Sequence, residues 1–117
     1  MIFENKDKLS KNAGQAIAND SNQLILSSAS TWEIAIKYSI GKLNLNDHPK
    51  KWLPNIILKM GIQQLLITQN HALGVADLPL HHKDPFDRLL ASQAKQEGLP
   101  IISPDKIFRK YRVKVIW

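Results

Sequence analysis

The feature that most constrains the fold is an alternation of short apolar runs with longer amphipathic segments. Four runs without helical spacing predict strands: QLILSS (23–28), IQQLLIT (62–68), LPIIS (99–103) and VKVIW (113–117). Apolar residues recur with helical spacing in five segments before and between these runs: 6–19, STWEIAIKYSIGKL, 50–61, 70–78 and DPFDRLLASQAKQEG. This order predicts an α/β fold with a mostly parallel central sheet covered by helices on both faces.

Composition narrows the class of protein. With 117 residues, 44% of them hydrophobic, the chain is expected to form a single domain (1–117) with a real core. The absence of cysteine excludes disulfides and thiolate metal sites, and is compatible with a cytoplasmic location. No run approaches the roughly 18 apolar residues of a membrane span, and MIFENKDKLS lacks the apolar centre of a secretory signal, so we expect no membrane partner.

The net charge of +6 favours a polyanionic partner, either nucleic acid or an acidic protein. The basic residues are scattered along the chain and form no dense run. Charge alone therefore does not choose between the two kinds of partner.

Three carboxylates occupy positions typical of a metal site in an α/β protein. Glu33 and Asp105 each follow a predicted strand, and Asp87 begins the helix that leads into the strand before Asp105. Parallel strands bring their carboxyl ends to one edge of the sheet, where ligands bind. Clustered carboxylates repel one another unless a hard divalent cation such as Mg²⁺ lies between them, and such a cation can activate water against a phosphodiester.

Helix capping explains the same carboxylates without a metal. Ser30 and Glu33 have the spacing of a capping box, with Ser30 as N-cap. Asp84, Pro85 and Asp87 fit N-cap, N1 and N3, and Ser103-Pro104-Asp105 repeats the theme. Each cap contributes about 0.5–2 kcal/mol. Both interpretations remain open, since a carboxylate fixed at a helix start is also held rigidly enough to bind metal.

Two further features have weaker functional interpretations. The pair His81-His82 has neither helical nor strand spacing, so a metal role is disfavoured. Arg88 either contacts RNA phosphate, positions a carboxylate, or is a solvated helix arginine.

Three blocks, SASTWEIAIKYSIGKLNL, HHKDPFDRLLASQAKQEGLPIIS and PDKIFRKYRVKVIW, together resemble PIN-domain proteins, specifically the VapC-type toxins of bacterial toxin–antitoxin pairs. The resemblance extends from about Leu9 to Trp117. It implies an α/β/α fold and an Mg²⁺- or Mn²⁺-dependent endoribonuclease acting on RNA. It also implies a homodimer, silenced by a cognate antitoxin whose C-terminal segment covers the active-site groove.

The resemblance assigns roles to particular residues. Glu33, Asp87 and Asp105 match three of the family's acidic metal-binding and catalytic positions. Ser103 matches a hydroxyl position that helps to order the site, and Asp84 is expected to support the site by capping the helix.

One departure concerns the family's first strand, which ends in an aspartate that is the first metal ligand. Nothing before MIFENKDKLSKNA supplies this strand, and neither Glu4 nor Asp7 follows one. Three explanations are open for the missing strand. The true start codon lies upstream of Met1, the chain is a decayed remnant, or a partner chain supplies the missing strand or carboxylate. We favour the first. The alternative function is a non-catalytic remnant that binds antitoxin or nucleic acid.

Overall fold

The computed structural model describes residues 9–117, and in this part of the chain it contains α-helices joined by short strands. In chain order these are α1 (Lys11–Ala18), β1 (Ile25–Ser27), α2 (Ser28–Ser39), α3 (Pro49–Met60), β2 (Gln63–Leu65), α4 (Gln69–Gly74), a 3₁₀ turn (Val75–Asp77), α5 (Pro85–Glu97), β3 (Ile101–Ile102), α6 (Ile107–Lys110) and β4 (Val115–Ile116). No helix within 9–117 is long and apolar enough to cross a membrane.

The predicted elements are therefore present, most of them shorter than the sequence pattern, while α3 has the predicted length. The chain divides into two compact units, one comprising Gln23–Leu66 and the other the described residues up to Asn22 together with Ile67–Trp117. The expected absence of an N-terminal strand concerns residues 1–8, which lie outside the described residues, and α1 begins at Lys11 with Ser10 as its N-cap.

In the unit Gln23–Leu66, β1 pairs in parallel with β2, with Leu26 opposite Gln64. Strand β1 passes directly into α2, and the N-cap is Ser27, whose Oγ accepts a hydrogen bond from the N–H of Ala29 at 3.0 Å. The prediction of Ser30 as N-cap is wrong, because the chain turns into the helix earlier. Ser30 is buried within the first turn, and Glu33 lies in the second turn instead of at N3.

Helix α2 buries a different face from the one that its apolar spacing indicates. The buried residues are Ala29, Ser30 and Ile34. The apolar spacing of the segment places Trp32, Ala35, Ile36 and Ile40 on one side of the helix. Of these, Trp32 and Ile40 are 59% and 58% exposed. Small side chains near the strand end allow close packing there, so the helix is oriented by its first turn more than by its largest residues.

In the other unit, β3 and β4 form a second parallel pair, with Ile101 opposite Val115 and Ile102 opposite Ile116. Helix α5 contributes much of the buried surface, and the segment around α6 supplies the largest apolar side chains. The buried apolar residues of these two elements and their flanks are Leu90, Ala91, Ala94, Phe108, Tyr111 and Val113. Parallel strands alternating with helices agree with the predicted α/β class.

Candidate metal centre at the start of helix α5

Helix α5 begins at a cap that the sequence predicts correctly. Asp84 is the N-cap, and its Oδ1 accepts hydrogen bonds from the N–H groups of Phe86 (2.8 Å) and Asp87 (3.3 Å). Pro85 occupies the first helical position, where its missing N–H costs nothing. The helix start is therefore rigid, and it fixes the backbone of Asp87 one turn into the helix.

The carboxylate of Asp87 is largely enclosed, with 15% of its side chain exposed. Burial raises the pKa of Asp87 above its usual value, and the nearby carboxylates of Asp84 and Asp105 raise it further. A hydrogen bond from His82, whose Nε2 lies 2.9 Å from Oδ2, opposes these effects without cancelling them. The environment thus makes the ionised form of Asp87 costly unless additional positive charge is present.

Side chains of His82, Asp84 and Asp87 converge at this point. One donor atom from each lies within 4.8 Å of the other two, and all three residues are partly buried. Carboxylate oxygens suit Mg²⁺ and Mn²⁺, and an imidazole nitrogen suits later transition metals such as Fe²⁺ and Zn²⁺. A divalent cation would also offset the cost of burial and the smaller carboxylate repulsion that raise the pKa of Asp87. The donor set and its charge therefore fit a divalent metal ion.

Asp105 lies near this group without joining it. Its N–H donates to the buried Oγ of Ser103 at 3.1 Å, and its Oδ1 accepts from the N–H of Ile107 at 2.9 Å. Its carboxylate contributes the smallest of the effects that raise the pKa of Asp87. Ser103 therefore orders the turn that carries Asp105, and Asp105 is exposed at the start of α6.

Glu33 is partly buried in the second turn of α2, in the unit Gln23–Leu66. Its assignment to the metal site comes from the resemblance and remains a prediction. Within its own unit, its position follows from the direct passage of β1 into α2.

Arg88 has a structural role that the sequence interpretations did not include. Its Nη1 donates to the carbonyls of Pro79 (3.1 Å) and His82 (3.4 Å) and to the Tyr111 hydroxyl (3.3 Å). Its Nη2 donates to the carbonyls of Val75 (3.2 Å) and Leu78 (3.5 Å). The guanidinium therefore holds the segment 75–82 against the start of α5, and this brings His82 to Asp87.

His82 is the site residue that sequence reasoning disfavoured. It precedes the helix in a loop, so no periodicity places it beside Asp87. The available signal is indirect: an arginine following Asp87 can bind several carbonyls at once and fold the preceding loop back.

Comparisons with known proteins identify the family of the chain. The PIN domain family model matches residues 1–114 of the chain. Ribonuclease VapC16 of Mycobacterium tuberculosis is 36% identical over 61 residues, which cover 51% of this chain and 43% of the relative. The match thus spans less than half of that relative's length. The chain belongs to the PIN-domain family.

Proposed function

We propose that the protein is a metal-dependent endoribonuclease, the toxin component of a toxin–antitoxin pair, which hydrolyses RNA phosphodiesters. The observation that carries the proposal is the enclosed carboxylate of Asp87, which lies close to Asp84 and His82 at the start of α5 and whose pKa is raised. Clustered carboxylates with perturbed pKa values are frequent at functional sites. Membership of the PIN-domain family and the similarity to a protein named as a ribonuclease support the same conclusion.

The proposed metal ion is Mg²⁺ or Mn²⁺, and Glu33, Asp87 and Asp105 are its proposed ligands and catalytic residues. When bound, such an ion lowers the pKa of a water and neutralises charge that develops on a phosphodiester. Asp84 fixes the helix start, Ser103 orders the turn of Asp105, and Arg88 holds the loop that carries His82. Ser103 and Arg88 support the site without needing to contact the metal, whereas Asp84 also offers a carboxylate oxygen to the donor group.

The proposal includes the partners that accompany such a toxin. RNA is the substrate, a cognate antitoxin is the inhibitor, and the active form is a homodimer located in the cytoplasm. The antitoxin and the dimer come from the resemblance, and copurification with size-exclusion chromatography tests both.

The test of the nuclease is cleavage of a labelled RNA pool by the purified protein with Mg²⁺, with Mn²⁺ and with EDTA. We expect metal-dependent cleavage and a loss of at least about 100-fold in Asp87→Asn, since even residues around metal ligands affect activity by about 10–100-fold. The matched control is Asp77→Asn, which removes an exposed carboxylate of the same unit.

Full cleavage by Asp87→Asn, or cleavage that persists in EDTA, would overturn the assignment of Asp87 to a metal site. Absence of cleavage with either metal, together with tight binding of an antitoxin, would identify the chain as a non-catalytic binding module.

A further inference from the structure

The segment from Lys106 to Lys114 presents a uniformly basic surface. Every one of its five exposed positions carries lysine or arginine: Lys106, Arg109, Lys110, Arg112 and Lys114. We call these residues the basic tract. The sequence shows only scattered charges here, because buried residues interrupt them.

Buried apolar residues hold the tract in place. Phe108, Tyr111 and Val113 are 0%, 1% and 6% exposed, and they alternate with the cations along the segment. These buried side chains therefore anchor the backbone of the segment, and the charged side chains face the solvent. A surface held in this way loses little conformational freedom when a ligand binds.

Arg112 adopts a left-handed backbone conformation that elsewhere among residues 9–117 is found only at glycine. It has φ +61° and follows α6, where its N–H donates to the carbonyl of Arg109 and that of Val113 donates to the carbonyl of Phe108. The same left-handed conformation after α2, α3 and α5 is adopted by Gly41, Gly61 and Gly98. A side chain at this position is strained relative to glycine. The turn after α6 therefore carries the cation Arg112 despite this strain.

Among the described residues 9–117, the cations of the tract have no acidic partner in an ion pair. Across residues 9–117, the ion pairs are His71 with Glu97 and His82 with Asp87. Neither involves the tract, so its like charges repel one another. A polyanion that spans several of them would relieve this repulsion.

The tract adjoins the candidate metal centre. Lys106 directly follows Asp105 in the sequence. Tyr111 is buried between Lys110 and Arg112 of the tract. Its hydroxyl accepts a hydrogen bond from Arg88, and the centre of its ring lies 5.4 Å from that of His81. A nucleic acid whose phosphodiester lies at the carboxylates would pass this surface.

We propose that the basic tract binds the phosphate backbone of single-stranded RNA beside the scissile phosphodiester. The proposal rests on the proposed function for the identity of the polyanion. RNA is favoured over an acidic protein because the cations extend along the segment next to Asp105 and have no apolar residue exposed among them to form the centre of a protein interface.

The test is binding of a fluorescent single-stranded RNA oligonucleotide to the full chain in EDTA, which prevents metal-dependent cleavage, at several KCl concentrations. Each phosphate contact contributes about 0.7 to the slope of log K against log salt. We expect Arg109→Gln/Lys110→Gln to bind about tenfold more weakly at low salt, with a slope smaller by roughly 1.4. Lys50→Gln/Lys51→Gln, a pair of adjacent exposed lysines in α3, is the matched control and should leave affinity and slope unchanged.

Arg112→Gly separates binding from folding. Glycine suits the left-handed turn, so this variant should be at least as stable to heat as the native protein while binding RNA more weakly and with a smaller salt slope.

The proposal is wrong if the native protein does not bind the RNA, or if both tract variants bind it with native affinity and slope. It is also wrong if the double variant keeps its RNA affinity and instead loses affinity for poly-L-glutamate, since the surface would then recognise acidic protein. If cleavage requires Asp87 but the tract variants bind RNA as the native protein does, the proposal for the tract is wrong and the proposed nuclease function stands. If the tract binds RNA but the protein shows no metal-dependent cleavage, the proposal for the tract stands and the proposed nuclease function is wrong.

Discussion

Nε2 of His82 lies 2.9 Å from Oδ2 of Asp87, and this contact lowers the pKa of Asp87, which its other surroundings raise. Burial, Asp84 and Asp105 raise the pKa of Asp87, whereas the hydrogen bond and the charge of His82 lower it. Protonation of Asp87 competes with binding of a cation, because a metal ligand must be ionised. His82 therefore helps to keep Asp87 in the form that a metal requires.

Replacement of His82 by alanine should raise the pKa of Asp87 further, since the hydrogen bond that lowers it is lost. The pH at which the Asp87 carboxyl titrates, followed by ¹³C NMR, is expected to move upward. Affinity for Mn²⁺ at fixed pH is expected to fall by about 10–100-fold, as for other residues that orient metal ligands.

His81→Ala is the control for this variant. His81 is exposed and packs on Tyr111, so its removal should leave the titration of Asp87 unchanged. An unaltered Asp87 titration in His82→Ala would show that the 2.9 Å contact does not influence the carboxylate.

Asp87→Asn should gain stability relative to the native protein as the pH rises. The folded-state pKa of Asp87 is raised, so the native chain binds this proton more tightly than the unfolded chain does. Its favourable contribution is complete below the unfolded value of about 3.9 and is lost as the pH rises through the folded value. Asparagine does not ionise, so the variant has no such loss.

The measurement is the difference in Tm between Asp87→Asn and the native protein from pH 3.5 to 7 in EDTA. We expect this difference to shift toward the variant with increasing pH. A difference that stays constant across the range contradicts the raised pKa. The same series with Asp77→Asn, an exposed carboxylate, provides the baseline.

Local sequence signals predicted those parts of the fold and site that depend on neighbouring residues. Asp84, Pro85 and Gly98 mark the start and end of α5 where the structure has them. The prediction of Ser30 as the N-cap is wrong because the cap depends on where β1 turns into α2, and two serines precede Ser30 with equal capacity to cap. The position of His82 could not be predicted, since it depends on five hydrogen bonds made by Arg88 to groups distributed from Val75 to Tyr111.

Arg88→Lys should destabilise the protein although it keeps the charge. A lysine ammonium cannot reproduce the planar fork that reaches the carbonyls of Val75, Leu78, Pro79 and His82. We expect a loss of about 2–3 kcal/mol in the free energy of unfolding, because hydrogen bonds to charged groups contribute about 1.5–3 kcal/mol each and some are retained. Urea denaturation measures this loss.

Arg109→Lys, at an exposed position of α6, is the matched substitution and should change stability by less than about 0.5 kcal/mol. Equal stability of the Arg88 and Arg109 variants would mean that the fork contributes nothing to holding the 75–82 segment.

At the contact of α4 with α5, helix propensity and packing have opposite effects on the stability of a Gly74→Ala variant. A Cβ on Gly74 would clash with Gln96 Nε2 and lie 2.6 Å from Ser92 Oγ. Both atoms are engaged: Gln96 donates to the carbonyl of Asn70 at 2.8 Å, and Ser92 donates to the carbonyl of His71 at 2.7 Å. Propensity alone would favour alanine by about 1 kcal/mol.

We expect packing to dominate, so Gly74→Ala should lower the free energy of unfolding by about 1–3 kcal/mol in urea. Gly14→Ala is the control, because nothing lies within 4 Å of a Cβ at that position in α1; it should stabilise by about 0.5–1 kcal/mol. Adding Gln96→Ala to Gly74→Ala should recover part of the loss by removing the nearer obstacle. Stabilisation by Gly74→Ala comparable to that of Gly14→Ala would show that α4 and α5 separate readily at this contact.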